Sequence, residues 1–513
     1  MFSPRQVLGM TPRSLITMLA ATTAVAGCTV GPDYRPRTAD QLGVPPAYSV
    51  PADVAAREDL TQWWTRFDDP LLQRLVASAA TSNLDVAQAV TRLRQARESL
   101  VQSRAQLLPS VSGSGGYSRN FNIAGGSGTV TLPDGTVTSI TRSAGDSFSL
   151  GGNVSYQAGL FGEVRRGVEA SQAQYQASGY NYAALLISTQ AEIARNYVLA
   201  RLAQANLASA RASLGIQDDN LQIAGWRVQA GLVSSLDQEQ ARSARAQTAA
   251  SVPSIEQNYN SAVSRLGVLT GQAPGALKAE MEKVQPIPKG PASVAVGIPA
   301  ETLRQRPDVL AAERNLAAAT AQIGVAKAQL YPALAITGNI GTNASAIGDL
   351  AKIITGGLFA NLSQLIFDGG RARAQVRSNE AAADGALLAY KGTVLAALED
   401  VENAVVALES AQAREREFTI AFDAANTTAI LSRSQYQVGL TDFTTLNQAE
   451  SALLSARNGL AQARADQASA LVQLYLALGG GWNSNSIPQA PAPGAASNAI
   501  SQGILPAQPP QDR

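Results

Sequence analysis

The side chains that carry out most protein chemistry are nearly missing from this chain. Its 513 residues include a single Cys and no His. Without imidazole, neither a Ser-His-Asp triad nor a histidine metal site can form, and one Cys can build neither an internal disulfide nor a thiolate cluster. We also find no nucleophile elbow, Walker loop or dinucleotide fingerprint. We therefore expect no enzymatic activity, no bound metal and no cofactor.

The one Cys stands where a specific modification is expected. Two Arg residues precede an apolar stretch at 15–26, which is the arrangement of a secretory signal peptide. The stretch ends in Val25, Ala26, Gly27 and Cys28, and this ending resembles the lipobox that bacterial lipoprotein signal peptidase cleaves. We predict that residues 1–27 are removed and that Cys28 is acylated. The alternative is an ordinary signal peptide with a chance Cys at its end.

The net charge of the chain argues against one class of partner, and the residue after Cys28 and the hydropathy indicate where the protein is located. The chain has 40 Lys and Arg against 39 Asp and Glu, so its net charge of +1 provides no positive field for nucleic acid. Thr29 follows the Cys in place of Asp, and by resemblance to bacterial sorting rules this favours the outer membrane. Beyond 15–26 we find no apolar run near the roughly 20 residues of a spanning helix, so a further crossing would use β-strands.

Internal similarity reveals the organisation of the chain. The residues before Pro109 resemble those before Pro332, and a Gly-Leu pair recurs at 231–232 and 439–440. These matches predict a tandem duplication. The expected segments are a lipidated extension at 28–66, a first repeat at 67–273, a Pro- and Gly-rich equatorial linker at 274–300, a second repeat at 301–482, and a disordered tail at 483–513.

Each repeat has the same order of predicted elements. A helix near 83–107 or 307–330 ends at a Leu-x-Pro signal, and a helix of about 66 residues follows near 164–229 or 370–437. Heptad rows of Leu, Val and Ala in the long helices indicate coiled-coil packing. Alternating apolar and small polar residues predict strands near 110–119, 147–160, 333–341 and 357–367, and the Gly-rich connection at 121–144 is typical of an exposed hairpin loop.

Four strands are too few for a membrane barrel. Outer-membrane barrels start at about eight strands, and an open sheet in lipid would leave unpaired backbone groups. Several copies of the chain must therefore share one barrel. A soluble coiled-coil rod is the simpler alternative, but it has no use for Gly-rich strand pairs.

A short turn follows each long helix. The first turn is centred on Gly231 and Leu232 and precedes Ser234, and the second is centred on Gly439 and Leu440 and precedes Asp442. Gly after a helix end adopts positive φ without steric cost, and Ser or Asp caps the next helix. By themselves, these signals indicate helical-hairpin turns.

Five separated segments carry a further signal. They are Cys28-Thr29-Val30-Gly31-Pro32-Asp33-Tyr34, Trp63-Trp64 with Phe67, Asp69, Pro70 and Leu71, Leu160-Phe161-Gly162, Arg304-Gln305-Arg306-Pro307-Asp308-Val309, and Leu478-Gly479-Gly480-Gly481-Trp482. Together these segments resemble one family, the lipoprotein branch of the TolC-type outer-membrane factors, known as the nodulation-T group. The resemblance extends over about 28–482.

The resemblance implies a mainly α-helical protomer with a membrane β-barrel part. Three copies would form a homotrimer with one 12-stranded barrel in the outer membrane, four strands per chain, continued by a long periplasmic coiled-coil barrel. Such a protein is a passive exit duct for small molecules such as antibiotics, and its partners are a periplasmic adaptor, an inner-membrane proton-driven pump and outer-membrane lipid.

The resemblance also assigns roles to the two turns. In the family, the hairpin tips carry a Val-Gly-Leu-Thr motif that meets the adaptor, and apolar and acidic residues nearby close the periplasmic end. The second turn matches the motif, whereas the first has Ala230 and Val233 at the outer positions. The implied adaptor contacts are Val438, Gly439, Leu440, Thr441, Gly231 and Leu232, and the implied gate residues are Leu440 and Asp442. Asp442 also fits the simpler role of a helix N-cap.

Two alternative functions remain open at this point. An exit duct for a type I protein secretion system would have the same fold and a different pump. A non-channel periplasmic scaffold lipoprotein would have no strands in the membrane.

Overall fold

The computed structural model describes residues 29–51, 59–121, 123, 127–141 and 145–488. The predicted signal peptide and Cys28 lie outside the described residues. The described chain divides into two compact units. The first takes its residues from Met1–Arg35, Ala96–Gln174 and Asn315–Ala386, and the second from Pro36–Gln95, Tyr175–Arg314 and Leu387–Arg513.

The first unit contains a four-stranded antiparallel sheet with the strand order β1-β4-β5-β6. Two of its strands, β1 and β5, begin directly after Pro109 and Pro332, which have no N–H to donate to a ladder. The outer strands β1 and β6 each have one side without a strand partner in the described chain. The sheet strands are β1 (Ser110–Asn120), β4 (Gly145–Ala158), β5 (Ala333–Ala344) and β6 (Thr355–Ser363).

The strand register divides the sheet into an apolar and a polar face. Val111 pairs with Val154, Val154 with Gly338, and Gly338 with Leu358, so these positions share one face across all four strands. Most residues of the opposite face are Ser, Thr, Asn, Gln or Gly. The apolar face carries Val111, Tyr117, Phe148, Leu150, Val154, Tyr156, Leu334, Ile336, Ile340, Leu358 and Leu362.

The predicted strand at 357–367 ends earlier than expected. In the structure β6 spans Thr355–Ser363, and Ile366 and Phe367 lie beyond it as exposed residues. The ladder ends because Ser363 pairs with Ala333, the first residue after Pro332.

The predicted hairpin loop contains two short strands, β2 (Ser127–Thr131) and β3 (Val137–Thr141), which pair with each other. Gly135 occupies the turn with φ 86°, and its N–H donates to the carbonyl oxygen of Leu132 at 2.9 Å.

Three helices of the first repeat have the same lengths as three helices of the second. The helix before the Leu-x-Pro signal has 22 residues in both, the long helix 67 and the following helix 35. The helices are α1 (Pro70–Ser82), α2 (Leu84–Ala105), α3 (Glu163–Gln229), α4 (Ser235–Leu269), α5 (Lys278–Met281), α6 (Pro299–Leu303), α7 (Pro307–Ala328), α8 (Arg371–Gln437) and α9 (Phe443–Ala477).

The main core of the second unit is built around aromatic side chains. Trp63 stacks on Tyr475 with ring centroids 5.4 Å apart, and both are buried. The hydroxyl of Tyr197 donates to the Asp69 carboxylate at 2.7 Å and accepts from the buried guanidinium of Arg201 at 2.9 Å. Burial raises the pKa of Tyr197, so this phenol stays protonated and keeps its donor role.

One segment boundary differs from expectation. The predicted linker at 274–300 contributes Ile287, Val294 and Val296 to the main core. The tail predicted to be disordered from 483 begins with ordered residues. Asn483 caps a short 3-10 helix at Ser484–Ser486 with a capping box that satisfies the local backbone groups, while residues 489–513 lie outside the described chain.

Among the residues that the structure describes, one helix has the length and composition of a membrane span. Arg371–Gln437 includes an 18-residue window with mean hydropathy 1.2 and at most two charged residues, of which 22% is buried. Our expectation that no such run follows 15–26 is therefore wrong by this measure. The same Ala- and Leu-rich rows also suit helix packing, so length and composition alone do not assign the window to a membrane.

Candidate functional site

The two hairpin turns have the same backbone structure. After α3, Gly231 adopts φ 67°, its N–H donates to the carbonyl oxygen of Val228 at 3.0 Å, and the N–H of Leu232 donates to that of Arg227 at 2.9 Å. These two bonds define a Schellman motif, which satisfies carbonyl groups that a helix end leaves without partners.

The turn after α8 repeats this arrangement. Gly439 has φ 82°, its N–H donates to the carbonyl oxygen of Tyr436 at 3.1 Å, and the N–H of Leu440 donates to that of Gln435 at 2.9 Å. The positive φ values explain the Gly in both turns, since an L side chain would be strained there.

Both turns present apolar side chains to solvent within the chain. Leu440 is 79% exposed, Val438 70% and Leu232 70%, whereas Thr441 is half-buried. Exposed apolar residues concentrated at a turn are typical of an interaction surface. We call residues 227–236 the first tip and residues 435–446 the second tip.

A small buried cluster lies between the two tips. Tyr436, Phe443 and Leu446 of the second repeat pack with Ala224 and Ala241 of the first repeat. The rings of Tyr436 and Phe443 meet edge to face with centroids 6.0 Å apart. This tip cluster joins the hairpins of both repeats within one chain.

Arg227 makes a second connection between the repeats. Its guanidinium donates to the carbonyl oxygen of Tyr436 at 3.1 Å and lies 4.8 Å from the centroid of the Tyr436 ring. Both a hydrogen bond to a helix-terminal carbonyl and a cation–π contact favour this position of the cation. The end of α3 is therefore tied to the end of α8.

Asp442, the predicted gate residue, acts as the N-cap of α9. Its carboxylate accepts a hydrogen bond from the N–H of Thr445 at 2.8 Å. This backbone donor, aided by the Thr445 hydroxyl, lowers the pKa of Asp442 below its ordinary value. Asp442 is exposed, so its charge also faces solvent. In the first tip, Ser234 caps α4 by accepting from the N–H of Leu236 at 3.2 Å.

An ion pair lies near the second tip. The guanidinium of Arg433 contacts both carboxylate oxygens of Glu450, the second of them at 2.9 Å, and Glu450 is only 3% exposed. The hydrogen bonds to Glu450 raise the pKa of Arg433. This pair links α8 to α9 with a bidentate contact, the strongest geometry for an arginine and a carboxylate.

The turn residues were predicted from the sequence, but the side chains that pack beneath and beside the turns were not. Arg227, Tyr436, Phe443 and Glu450 entered no prediction. A signal was available for Tyr436, which continues the heptad row of α8. No comparable pattern points to Arg227.

The first unit defines the surroundings of the residues that follow Cys28. The N–H of Val30 donates to the carbonyl oxygen of Phe161 at 3.2 Å, and the Arg166 guanidinium contacts the Asp33 carboxylate at 2.6 Å. Gly31 packs so closely that a Cβ there would lie 2.5 Å from the Cα of Gly324. The chain from Thr29 onward is thus held against the junction between β4 and α3.

Within the described residues no group of three or more His, Cys, Asp or Glu side chains is placed to hold a metal ion. The tips are instead distinguished by two turns of the same geometry, by exposed apolar side chains and by the acidic N-cap Asp442.

Comparisons with known proteins all indicate the same family. Residues 75–272 and 298–480 match the family described as outer membrane efflux protein. The chain is 32% identical to nodulation protein T of Rhizobium leguminosarum bv. trifolii over 90% of this chain and 96% of that protein. It is 30% identical to the pyoverdine export outer membrane protein OpmQ of Pseudomonas aeruginosa, over 83% and 89% of the two chains.

A solved structure supports the same relationship. The outer-membrane channel OprN superposes with a TM-score of 0.78 at 32% identity, covering 89% of this chain and all of that chain. The two matched segments correspond to the two repeats, and the fold is that of a helical barrel with a β part. The chain belongs to the outer membrane efflux protein family.

Proposed function

We propose that this protein is the outer-membrane exit duct of a tripartite efflux pump and passes small toxic molecules passively. The observation that carries the proposal is the four-stranded sheet with one apolar and one polar face. Val111 and Leu358 on the apolar face are 76% and 80% exposed within the chain. Such a sheet suits a boundary between lipid and a water-filled lumen.

The open edges of the sheet support a homotrimer. Unpaired edges of β1 and β6 would be costly in lipid, because their N–H and C=O groups would find no water there. Pairing β1 of one copy with β6 of the next satisfies both edges. Two copies would form a barrel of about eight strands, whose interior is filled by side chains, whereas three copies form about twelve and leave room for a duct.

Lipidation of Cys28 would anchor each copy at the same membrane. The close contacts of Val30, Gly31 and Asp33 support this part of the proposal, because they hold the residues after Cys28 beside the strand ends. Acyl chains on Cys28 would then enter lipid near the sheet without a long tether.

The tips are proposed to serve as adaptor contacts and periplasmic gate. The exposed apolar surface at the turns is formed by Leu232, Val438 and Leu440, and it suits a helical partner. The proposed contact also includes Gly231, Gly439 and the half-buried Thr441. Leu440 and the Asp442 carboxylate would narrow the end of the duct, and three carboxylates around the axis would favour cations there. The remaining partners are a periplasmic adaptor and an inner-membrane proton-driven pump.

Planar-bilayer recording of the purified full-length protein tests the proposal. We expect small conductance for the wild type and a clear increase when Leu440 and Asp442 are both replaced by Ala, because the apolar and charged constriction is removed. The matched control replaces Leu232 and Ser234, the equivalent residues of the first tip, and should change conductance less. Absence of any conductance in both double variants, with normal folding, would contradict a channel.

A further inference from the structure

A cavity lies beneath the N-terminal extension in the second unit. It is separate from the tips and has a volume of about 390 Å³, within the range of small-molecule sites, roughly 300–1,000 Å³. The extension forms one wall, and residues of α6, α7 and α8 form the others. Its apolar lining includes the buried side chains of Leu42, Val44, Leu303, Val309, Tyr390 and Val394.

Two cations also line this cavity. Arg37 and Arg304 are both exposed, and neither guanidinium has a carboxylate partner within the described part of the chain. One carboxylate, that of Glu313, is in the lining as well, but it is already paired with Arg314. The cavity therefore combines an apolar interior with two guanidinium groups that are available to an anion.

We propose that this cavity binds a single-chain amphiphilic carboxylate, of the fatty-acid type. The aliphatic chain would replace water against the buried apolar lining, and the carboxylate would accept hydrogen bonds from Arg37 and Arg304. Guanidinium groups suit this headgroup because their N–H donors match the two carboxylate oxygens. A neutral amphiphile of the same length would gain the apolar contacts only.

The extension that covers the cavity is fixed without the ligand. The N–H of Ser49 donates to one Glu402 oxygen at 2.7 Å, and its hydroxyl donates to the other at 2.6 Å. Closer to the cavity, the N–H of Val44 donates to the carbonyl oxygen of Ala39 at 3.1 Å. A site formed in advance avoids the entropy cost of ordering its walls when the ligand binds.

Native mass spectrometry of the full-length protein in neutral detergent, with added dodecanoate, tests the proposal. We expect one saturable adduct per chain and binding at least about 10-fold weaker for dodecanol, which lacks the charge. The double variant Arg37→Gln, Arg304→Gln should weaken dodecanoate binding about 10-fold and leave dodecanol binding unchanged. The matched control is Arg35→Gln, a neighbouring exposed arginine outside the cavity lining. Leu310→Trp, which fills the cavity, should weaken both ligands.

Three results would overturn the proposal. The first is equal binding of dodecanoate and dodecanol. The second is unchanged dodecanoate binding in the double arginine variant. The third is absence of any adduct together with a change in oligomeric mass in that variant, which would assign the two arginines to a contact with a second copy of the chain.

Discussion

The two hairpin tips share a backbone and differ in their side chains. Both have a Schellman motif ending in Gly-Leu and both have a capping residue three positions after the Gly. The second tip buries Tyr436 and Phe443, whereas the equivalent positions of the first tip are Val228 and the exposed Ser235. Just before the first tip, Trp226 is exposed at the position that Ser434 occupies in the second repeat.

The two repeats therefore share the geometry of the turn but not the packing of side chains around it. Turn geometry depends on few local interactions, so the Gly and a capping oxygen are sufficient to retain it. Packing depends on neighbours, and only the second tip has the aromatic pair and the ion pair to Glu450. We infer that the second tip is the more firmly held of the two, and each prediction below tests this contrast.

The largest effect is expected from Phe443→Ala. Phe443 is 1% exposed, and truncating a buried Phe costs about 3–5 kcal/mol. Hydrogen exchange at the second tip, measured by mass spectrometry on the purified protein, should become about 100- to 4,000-fold faster. Ser235→Ala at the equivalent position of the first tip is the control and should change exchange little. If the two variants accelerate exchange by similar amounts, the second tip is not more firmly held than the first.

A smaller effect is expected from Arg433→Leu. The substitution leaves the buried Glu450 carboxylate without its cation, at a cost of about 1–3 kcal/mol. Exchange in the first turns of α9 should rise by about 10- to 100-fold. Adding Glu450→Leu should restore slow exchange, because replacing both members of a buried pair is far less costly than removing one. If the double variant exchanges as fast as the single, the pair is not the cause.

The smallest effect is a pH dependence confined to the second tip. The Thr445 N–H lowers the pKa of Asp442 in the folded protein, so this cap stabilises α9 above the ordinary Asp pKa of about 3.9. That contribution is lost as the pH falls through the lowered value, whereas Ser234 does not titrate.

Hydrogen exchange from pH 6 to pH 3, corrected for intrinsic rates, measures this effect. The second tip should lose protection in the acid range relative to the Asp442→Asn variant, whose amide oxygen can still cap α9. Parallel pH profiles for wild type and variant would show that the Asp442 charge adds nothing to the cap.

Much of the fold could be predicted from the sequence because the ends of its helices and strands depend on local residues. Pro109 and Pro332 precede strands, Gly231 and Gly439 end helices, and heptad rows mark the long helices, so each boundary depends on a few neighbouring residues. The α3 and α8 predictions, near 164–229 and 370–437, differ from the structure by one residue at their starts. The family assignment was equally accessible, since the five motifs indicate the family that the comparisons show.

The remaining features depend on which distant residues become neighbours. Nothing near Arg227 in the sequence indicates that its guanidinium contacts Tyr436, and nothing near Arg166 indicates Asp33 as its partner. The cavity beneath the extension is likewise formed by segments far apart in the chain. The roles of Cys28, of the gate and of the adaptor contacts remain predictions, and the bilayer recording addresses the gate.

The contact between Gly31 and Gly324 has a consequence for biogenesis. The segment around Gly31 can settle in its final place only after α7 of the second repeat has been made. Likewise β4 gains its neighbour β5 only at that late stage. Because these long-range pairings form slowly, the edge of β4 stays unpaired while the second repeat is made, and the apolar face of the sheet stays exposed until it reaches lipid. We therefore expect a holding chaperone to protect the subunit on its way to the outer membrane.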